Sequence, residues 1–300
     1  MRYGWRRWIL AGLLMVLVGC AGTGGRVGPV DLGLVTSGIQ LLAAASTKID
    51  RDDEVNIGRG VAARLLAQYG EWNDPTLRQY VNLVGMTLVQ SVGRDDLTYY
   101  FAILNDDTVN AFSTPGGYIF ITRGALRQMR DEAELAGVLA HEIAHVNQRH
   151  VLTEIENRYF VGKAGETAMQ AAGAYGGRGG ATTMAALQAG GPVFSQIADF
   201  ATEVVFKGSG RTQEIEADRI GVEYAARGGY NPYGLVNFLE ASWTRSQRRE
   251  QAISGGLMRT HPIHAERVGE LRAHIQGTLS GVEGLPRLAD RYAQWTQGRF

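Results

Sequence analysis

The chain has 300 residues, of which 45% are hydrophobic and 20% are charged, and its 30 basic and 30 acidic residues cancel. This composition excludes a disordered protein, which has few apolar residues and a large net charge. It also excludes an electrostatic nucleic-acid binder, which needs a basic excess, and the single cysteine excludes an internal disulfide framework.

The N-terminus has the pattern of a secretory signal peptide. A basic start precedes an apolar run, residues 9–18, that is too short to cross a bilayer. The run ends in Leu17-Val18-Gly19-Cys20, which resembles the lipobox of bacterial lipoproteins. We therefore expect residues 1–19 to be removed and Cys20 to be acylated. An ordinary signal peptide with an incidental cysteine is the alternative.

The residue after the cysteine bears on the destination. Ala21 stands where enteric-type lipoproteins kept in the inner membrane carry Asp, so the resemblance implies an outer-membrane lipoprotein that faces the periplasm. Multiple acyl chains on Cys20 would hold it stably on a membrane surface. Residues 20–50 begin Gly-rich and then become small and apolar, which predicts a tether followed by a short helix.

Two predicted helices precede a group of short predicted strands. Apolar residues at helical spacing place the helices at 54–69 and 75–92. The β-prone segments are 97–104, 109–114 and 118–122. A Pro-Gly-Gly turn at 115–117 separates the last two strands.

Two long helices follow these strands. Asp131 and Glu134 have the spacing of a capping box, and a helix is predicted from there to about residue 149. A second helix is predicted over about 212–227, before two glycines that end it. Helices therefore dominate, with one small inserted sheet, and we predict an α+β fold.

A segment between these two helices, residues 162–191, differs from both in composition. Eighteen of its 30 residues are Gly or Ala, which cannot anchor a core. One interpretation is a mobile surface excursion. The other is a lid near an active site, because mobile loops often control access.

The pattern His141-Glu142-Ile143-Ala144-His145 lies in the first long helix. Residues four apart share a helix face, so both imidazoles can bind one zinc ion. Glu142 lies beside them and can take a proton from a zinc-bound water. Two helix histidines with ordinary hydrogen bonds are the alternative. His150 is one residue out of the metzincin register, so we expect a surface histidine.

A catalytic zinc takes three protein ligands and a water. The stretch Glu214-Ile215-Glu216-Ala217-Asp218 on the later helix can supply the third ligand. Glu214 and Asp218 share a helix face, so Glu214 is predicted to bind zinc and Asp218 to orient a ligand histidine. Glu216 points away and is expected to be solvated. Read alone, the stretch is typical of a charged helix face.

Several motifs together resemble one family. They are Val109–Phe112, Pro115–Gly117, Glu134–Ala136, His141–His145, Glu214–Arg219 and Thr260–Pro262. The set is similar to that of the zinc metallopeptidase family of the CAAX prenyl protease and HtpX, and especially to its soluble bacterial envelope members of the LoiP and BepA type. The resemblance covers about 54–275. We expect neither transmembrane helices nor a C-terminal tetratricopeptide domain, so prenylated substrates and repeat-mediated docking are not carried over.

The resemblance implies a domain and its cofactor. It implies a mainly helical, gluzincin-type zincin domain over 51–275, one zinc ion per chain, and a small sheet whose edge strand flanks the active-site helix. Residues 276–300 are predicted as a C-terminal tail. An extended substrate would pair through its main chain with that edge strand, at Asn110, Ala111, Phe112 and Ser113. A purely structural strand is the alternative.

The resemblance also gives a role to His261, with Arg267 as a supporting residue behind the ligands. Two roles stay open. The imidazole can donate to the tetrahedral oxyanion, or it can occupy the fourth zinc position and hold the enzyme latent. His264 and His274 have no such support and are expected at the surface.

These parts predict a zinc-dependent endopeptidase with Glu142 as general base. The expected substrates are unfolded or misassembled envelope proteins in the periplasm, and the outer-membrane assembly machinery is a further expected partner by analogy. A periplasmic chaperone or assembly factor with a latent zinc site is the alternative. A purely structural zinc site is disfavoured, because such sites are normally closed by four ligands, often Cys.

Overall fold

Ten α-helices and three strands make up the part of the chain that the computed structural model describes, which is residues 49–157, 192–248, 260–261 and 265–300. The predicted signal peptide, Cys20, the tether up to residue 48 and the Gly/Ala-rich segment 162–191 lie outside these residues. Within these ranges no helix has the length and apolar content that a bilayer span requires.

The elements follow one another in the predicted order. The helices are α1 (Arg51–Tyr69), α2 (Pro75–Val92), α3 (Arg123–Gln128), α4 (Glu132–Asn147), α5 (His150–Ile155), α6 (Pro192–Lys207), α7 (Arg211–Arg227), α8 (Tyr233–Arg248), α9 (Ala265–Thr278) and α10 (Ala289–Thr296). The strands are β1 (Tyr100–Leu104), β2 (Ala111–Thr114) and β3 (Tyr118–Thr122). Each helix and strand predicted within the described ranges is present, with ends that differ by a few residues.

The helix starts show why local sequence places these ends. The Asp74 side chain accepts a hydrogen bond from the backbone N–H of Leu77, 2.9 Å away, and so caps α2. The Asp131 side chain caps α4 in the same way through the N–H of Glu134. The Glu134 carboxylate accepts from the N–H of Arg130 rather than that of Asp131, so only half of the predicted capping box forms.

The sheet has the order β1-β3-β2, with β1 parallel and β2 antiparallel to β3. In the described part of the chain β2 is therefore an edge strand, and it packs against α4. This arrangement confirms the predicted fold class, which is mainly helical with one small sheet whose edge strand flanks the helix that carries the HEXXH pattern.

Helix α4 is central to the described part of the chain, since its residues from Glu132 to Val146 are all buried. The elements that pack on it most extensively are α7, α8, α2 and β2. Gly221 lets α7 approach α4 closely, because a Cβ at that position would lie 3.0 Å from the backbone N and Cα of His141. This close approach brings the acidic face of α7 to the HEXXH pattern.

Helix α4 ends earlier than predicted, at Asn147. Arg149 has a left-handed backbone (φ 58°), which stops the helix, and α5 then begins at His150. The Arg149 guanidinium holds this turn in place by donating to the Glu54 carboxylate at 2.7 Å and to the carbonyl of Ile49 at 2.6 Å.

The residues predicted as a C-terminal tail contribute helix α10 to the packed core. Tyr292 is buried and its hydroxyl donates to the carbonyl of Leu126. Trp295 stacks on Tyr80 of α2 with ring centroids 5.1 Å apart. The described core therefore extends past residue 275, because these aromatic side chains bury apolar area against α2 and α3.

Candidate metal centre

Four buried side chains converge at the centre of the domain. They come from α4, from α7 and from the described residue pair 260–261: His141, His145, Glu214 and His261. One nitrogen or oxygen of each lies within 4.8 Å of those of the other three. The structure thus brings together the three predicted metal ligands and the predicted active-site histidine.

The spacing of the three predicted ligands suits a small cation. Nε2 of His141 lies 3.0 Å from Nε2 of His145. The Glu214 carboxylate oxygens lie 3.5 Å and 3.4 Å from these two nitrogens. Two ligands about 2.1 Å from a tetrahedral zinc ion are about 3.4 Å apart, so these separations match.

His261 lies within the same cluster. Its Nδ1 is 3.3 Å from Nε2 of His141 and 3.0 Å from Oε2 of Glu214. Its Nε2 is 3.4 Å from Oε1 of Glu142. Nδ1 therefore has the spacing of a fourth ligand, which is the second of the two roles that the sequence left open.

Asn110, the first residue of the predicted edge segment, contacts Thr260, the residue before His261. The side-chain oxygen of Asn110 accepts from the Thr260 hydroxyl at 2.9 Å and from the N–H of Ala111 at 3.0 Å. Gly208, with a positive φ of 85°, lets the backbone of Thr260 pack close to it, because a Cβ at position 208 would lie 1.9 Å from the carbonyl oxygen of Thr260. Asn110 therefore contributes its side chain to the site, as well as its place beside β2.

Glu142 lies beside the cluster and is oriented by β2. Its Oε2 accepts a hydrogen bond from the Ser113 hydroxyl at 2.7 Å, and both side chains are buried. The neighbouring Phe112 side chain packs against Tyr69 and Phe206, at ring-centroid distances of 6.0 Å and 5.9 Å. Of the predicted edge-strand residues, Ser113 thus contacts the predicted base directly, whereas Phe112 and the buried Ala111 anchor the strand.

Asp218 and Arg267 lie behind the cluster. Oδ1 of Asp218 is 3.0 Å from Nδ1 of His141. The Arg267 guanidinium donates to both Asp218 oxygens, in one case at 2.7 Å, and also lies 3.0 Å from Oε2 of Glu214. Burial acts to raise the pKa of Asp218, but Arg267 and His141 outweigh it and lower that pKa below its ordinary value.

The charge balance of the site favours a divalent cation. Three buried acidic side chains, of Glu142, Glu214 and Asp218, face one buried guanidinium, so further positive charge in the cluster is favourable. Burial lowers the pKa of His141, yet Asp218 and Glu214 raise it to about 10, so they stabilise positive charge at this position. Two imidazole nitrogens and a carboxylate are also the donor set of catalytic zinc sites.

His150 is buried, with 4% of its surface exposed, so the predicted surface position is wrong. In an unbroken helix, five steps of about 100° would place it about 140° from His145. The break at Arg149 instead brings its Nδ1 to 2.8 Å from Nδ1 of His145. Burial lowers the pKa of His150 to about 3. The buried position of His150 could be predicted only from the helix break. The sequence gives no sign of that break, because residues 146–151 contain no Pro or Gly.

The other polar predictions have mixed outcomes. Glu216 is exposed, as predicted, and its Oε2 lies 3.4 Å from Nε2 of His150. His274 is partly exposed and contacts Glu223 at 3.0 Å. His264 lies outside the described residues.

An apolar recess adjoins the cluster on the side of Glu142. It also borders His141, His261 and Arg267. The apolar residues that line it come from α4 and α8: Val138, Leu235, Phe238 and Leu239.

Comparisons with known proteins show which proteins this chain is similar to. Residues 75–275 match the sequence model of Peptidase family M48. The chain is 29% identical over 260 residues to the beta-barrel assembly-enhancing protease of Yersinia pestis, which covers 82% of this chain and 50% of that protein. It is 26% identical over 228 residues to the mitochondrial metalloendopeptidase OMA1 of Schizosaccharomyces pombe, covering 74% and 61%.

A third relative is a protease HtpX homolog of Methylibium petroleiphilum, 30% identical over 197 residues, covering 58% of this chain and 67% of that protein. The chain spans about half the length of the assembly-enhancing proteases that it matches. Two of the three groups named in these matches, assembly-enhancing proteases and HtpX homologs, are those that the sequence motifs resemble.

Proposed function

The chain belongs to peptidase family M48, and we propose that it is a zinc-dependent endopeptidase that cuts unfolded or misassembled proteins of the bacterial envelope. The observation that carries this proposal is the buried cluster of His141, His145 and Glu214, with ligand separations of 3.0–3.5 Å. These three residues would hold one zinc ion. The relatives include a protease and a metalloendopeptidase, which supports the same activity.

The protein side of the reaction follows from the contacts. When bound, zinc would supply a water of lowered pKa and polarise the scissile carbonyl. Glu142, held by Ser113, is placed to take the proton of the attacking water and to pass it to the leaving amine. Asp218 faces Nδ1 of His141 and so favours the tautomer whose Nε2 lone pair points into the cluster.

The edge strand offers a binding mode for an extended substrate. The N–H of Thr122 donates to the carbonyl of Asn110, so these two residues form a hydrogen-bonded pair of the β2–β3 ladder. Pairs alternate along an antiparallel ladder, so the main-chain groups of Ala111 and Ser113 point away from β3; of these, the Ala111 N–H already donates to the Asn110 side chain, which leaves the Ala111 carbonyl and the main chain of Ser113. Pairing with these groups would recognise extended backbone rather than a side-chain consensus, which suits unfolded substrates.

The apolar recess suggests a preference at one substrate position. Because Glu142 passes its proton to the leaving amine, the residue after the cut lies on the Glu142 side of the centre. The recess lined by Val138 and Leu235 lies on that side. We therefore expect a preference for apolar residues just after the cut, which sequencing of product N-termini would show.

His261 is proposed as a removable fourth ligand that holds the enzyme latent. Its Nδ1 lies within 3.3 Å of both His141 and Glu214, in the position that an attacking water would need. The same observation supports the second candidate function, a periplasmic chaperone or assembly factor whose zinc site stays closed. The name of the assembly-enhancing relatives is compatible with that role.

The proposed location is the outer membrane, with the domain facing the periplasm. It rests on the signal-like N-terminus and on Cys20 as the acylated residue. Partners proposed for this location are polypeptide substrates and, by analogy with the name of the assembly-enhancing relatives, the outer-membrane assembly machinery.

The peptidase proposal is tested with purified full-length protein, zinc and casein as an unfolded substrate. His261→Ala is expected to cut casein, and wild type, held latent by His261, is expected to cut it more slowly. Adding Glu142→Gln to His261→Ala should lower the rate at least 100-fold while zinc stays bound. Absence of cleavage by both zinc-loaded wild type and zinc-loaded His261→Ala would overturn the peptidase proposal and favour the chaperone, and equal cleavage with Glu142→Gln would overturn the role of Glu142.

A further inference from the structure

The two histidines of the HEXXH pattern have different partners behind them. Nδ1 of His141 faces a carboxylate, whereas Nδ1 of His145 faces the imidazole of His150 at 2.8 Å. The Ser209 hydroxyl is the other polar group near that nitrogen, at 3.4 Å. His150 is therefore the closer partner of His145.

The hydrogen-bonding roles in this pair follow from the cluster. Nε2 of His145 points at His141 and Glu214, so it presents its lone pair there and its proton is on Nδ1. A short contact between two Nδ1 atoms needs one donor and one acceptor. Nδ1 of His150 is thus the acceptor, and its proton lies on Nε2, which faces Oε2 of Glu216 at 3.4 Å.

We propose that His150 is a positioning residue for the metal ligand His145: it accepts the proton of Nδ1 and fixes the ring so that Nε2 points at the zinc. The proposal deepens the proposed function and rests on it. It assigns to a buried residue outside the HEXXH pattern a part in metal affinity. Partners of this kind typically change metal affinity by 10–100-fold when they are removed.

Several polar contacts hold the turn that positions His150. His150 follows the left-handed Arg149, whose guanidinium binds the fully buried carboxylate of Glu54 at 2.7 Å. Arg94 binds the same carboxylate through bonds of 2.9–3.1 Å. A buried carboxylate held by two arginines thus supports the turn that points His150 back at His145.

The test compares two substitutions of nearly equal shape. Asn places a polar atom where Nδ1 of His150 lies, whereas Leu fills the same space without an acceptor. Zinc affinity of the full-length protein is measured by competition with a chelator, together with the unfolding temperature of each metal-free form. We expect His150→Leu to weaken zinc binding about 10–100-fold and His150→Asn to recover most of that loss. His274→Leu, which alters a histidine paired with Glu223, is the control and should bind zinc like wild type.

Three outcomes separate the explanations. Equal zinc affinity of wild type and His150→Leu would overturn the proposal. Equal losses in the Leu and Asn variants, together with equally lowered unfolding temperatures, would show a packing role instead and would also overturn it. Failure of wild type to bind zinc at all would contradict the proposed function itself, so the two failures can be told apart.

Discussion

The two sides of the metal centre are built differently, although both ligand histidines stand on one helix. Behind His141, the Asp218 carboxylate is paired with the buried guanidinium of Arg267. Behind His145, the nearest group is the imidazole of His150. A carboxylate makes a ligand histidine more basic, whereas a neutral imidazole orients it without adding charge.

The difference shows how the fold limits the charge that it buries. With Asp218 on one side only, the centre has three acidic side chains against the one guanidinium of Arg267, an excess that a divalent cation or protonated histidines can offset. A second carboxylate behind His145 would raise this excess by one. Since unpaired buried charge is costly, the neutral partner lowers the cost of the metal-free state.

The largest effect is expected from breaking the charged side. Asp218→Ala removes the carboxylate that accepts two bonds from Arg267, and loss of one partner of a buried ion pair costs about 3–5 kcal/mol. The free energy of unfolding in urea should fall by about that amount, and zinc affinity should fall as well. A decrease below about 1 kcal/mol would show that the pair contributes little.

Removing the guanidinium should make stability depend on the metal. Arg267→Met leaves the acidic groups of Asp218 and Glu214 without their shared cation, which destabilises the metal-free protein most. The increase in unfolding temperature on adding zinc should therefore exceed that of wild type. An increase equal to that of wild type would contradict the charge balance described for the centre.

A substitution that separates α7 from α4 should affect both sides of the centre together. A Cβ at Gly221 would press on the backbone of His141 at 3.0 Å, and overpacking of this kind costs about 1–3 kcal/mol. We expect Gly221→Ala to lose stability and to bind zinc more weakly. The control is Gly269→Ala in α9, where a Cβ meets nothing within 4 Å; it should be stabilised by about 0.5–1 kcal/mol. The same response in both variants would mean that contact with α4 does not matter.

The smallest effect is expected at an ion pair distant from the centre. Burial raises the pKa of Asp74, but the N–H of Leu77 and the Arg299 guanidinium outweigh it and lower that pKa below 3.8. The ionised Asp74 therefore stabilises the folded protein at pH values above its ordinary pKa of 3.8, and this stabilisation is lost as the pH falls through the lowered pKa. Asp74→Asn keeps the helix cap, because an Asn side chain can also accept from the N–H of Leu77. At pH 7 the free energy of unfolding should therefore fall by about 1 kcal/mol or less, and zinc affinity should not change. The difference from wild type should shrink as the pH falls, and a difference that grows in acid would contradict this sign.

The sequence predicts the charged side of the centre better than the neutral side. His141, His145, Glu214 and Asp218 are related by four-residue spacing on two helices, and helical periodicity is sufficient to bring each pair to one face. His150 depends on the left-handed backbone of Arg149, which long-range contacts with Glu54 and Ile49 hold in place. No local pattern encodes those contacts.

Two further features show the same limit. Asn110 was predicted for its main chain, yet its side chain binds Thr260, which is 150 positions away in the sequence. Helix α10 lies in the segment predicted as a tail. Its aromatic residues are buried only because they pack against Tyr80 and Leu126, which are distant in the sequence. Element types and the HEXXH register are local properties, whereas these contacts join distant parts of the chain.

The most direct test of the centre is zinc K-edge X-ray absorption of the zinc-loaded full-length protein and of His261→Ala. Wild type is predicted to show four nitrogen or oxygen donors at about 2.0–2.1 Å, three of them imidazoles, and the variant should show two imidazoles. A six-coordinate oxygen shell, or no bound zinc, would contradict the centre formed by His141, His145 and Glu214. An unchanged number of imidazoles in His261→Ala would contradict the fourth-ligand position of His261.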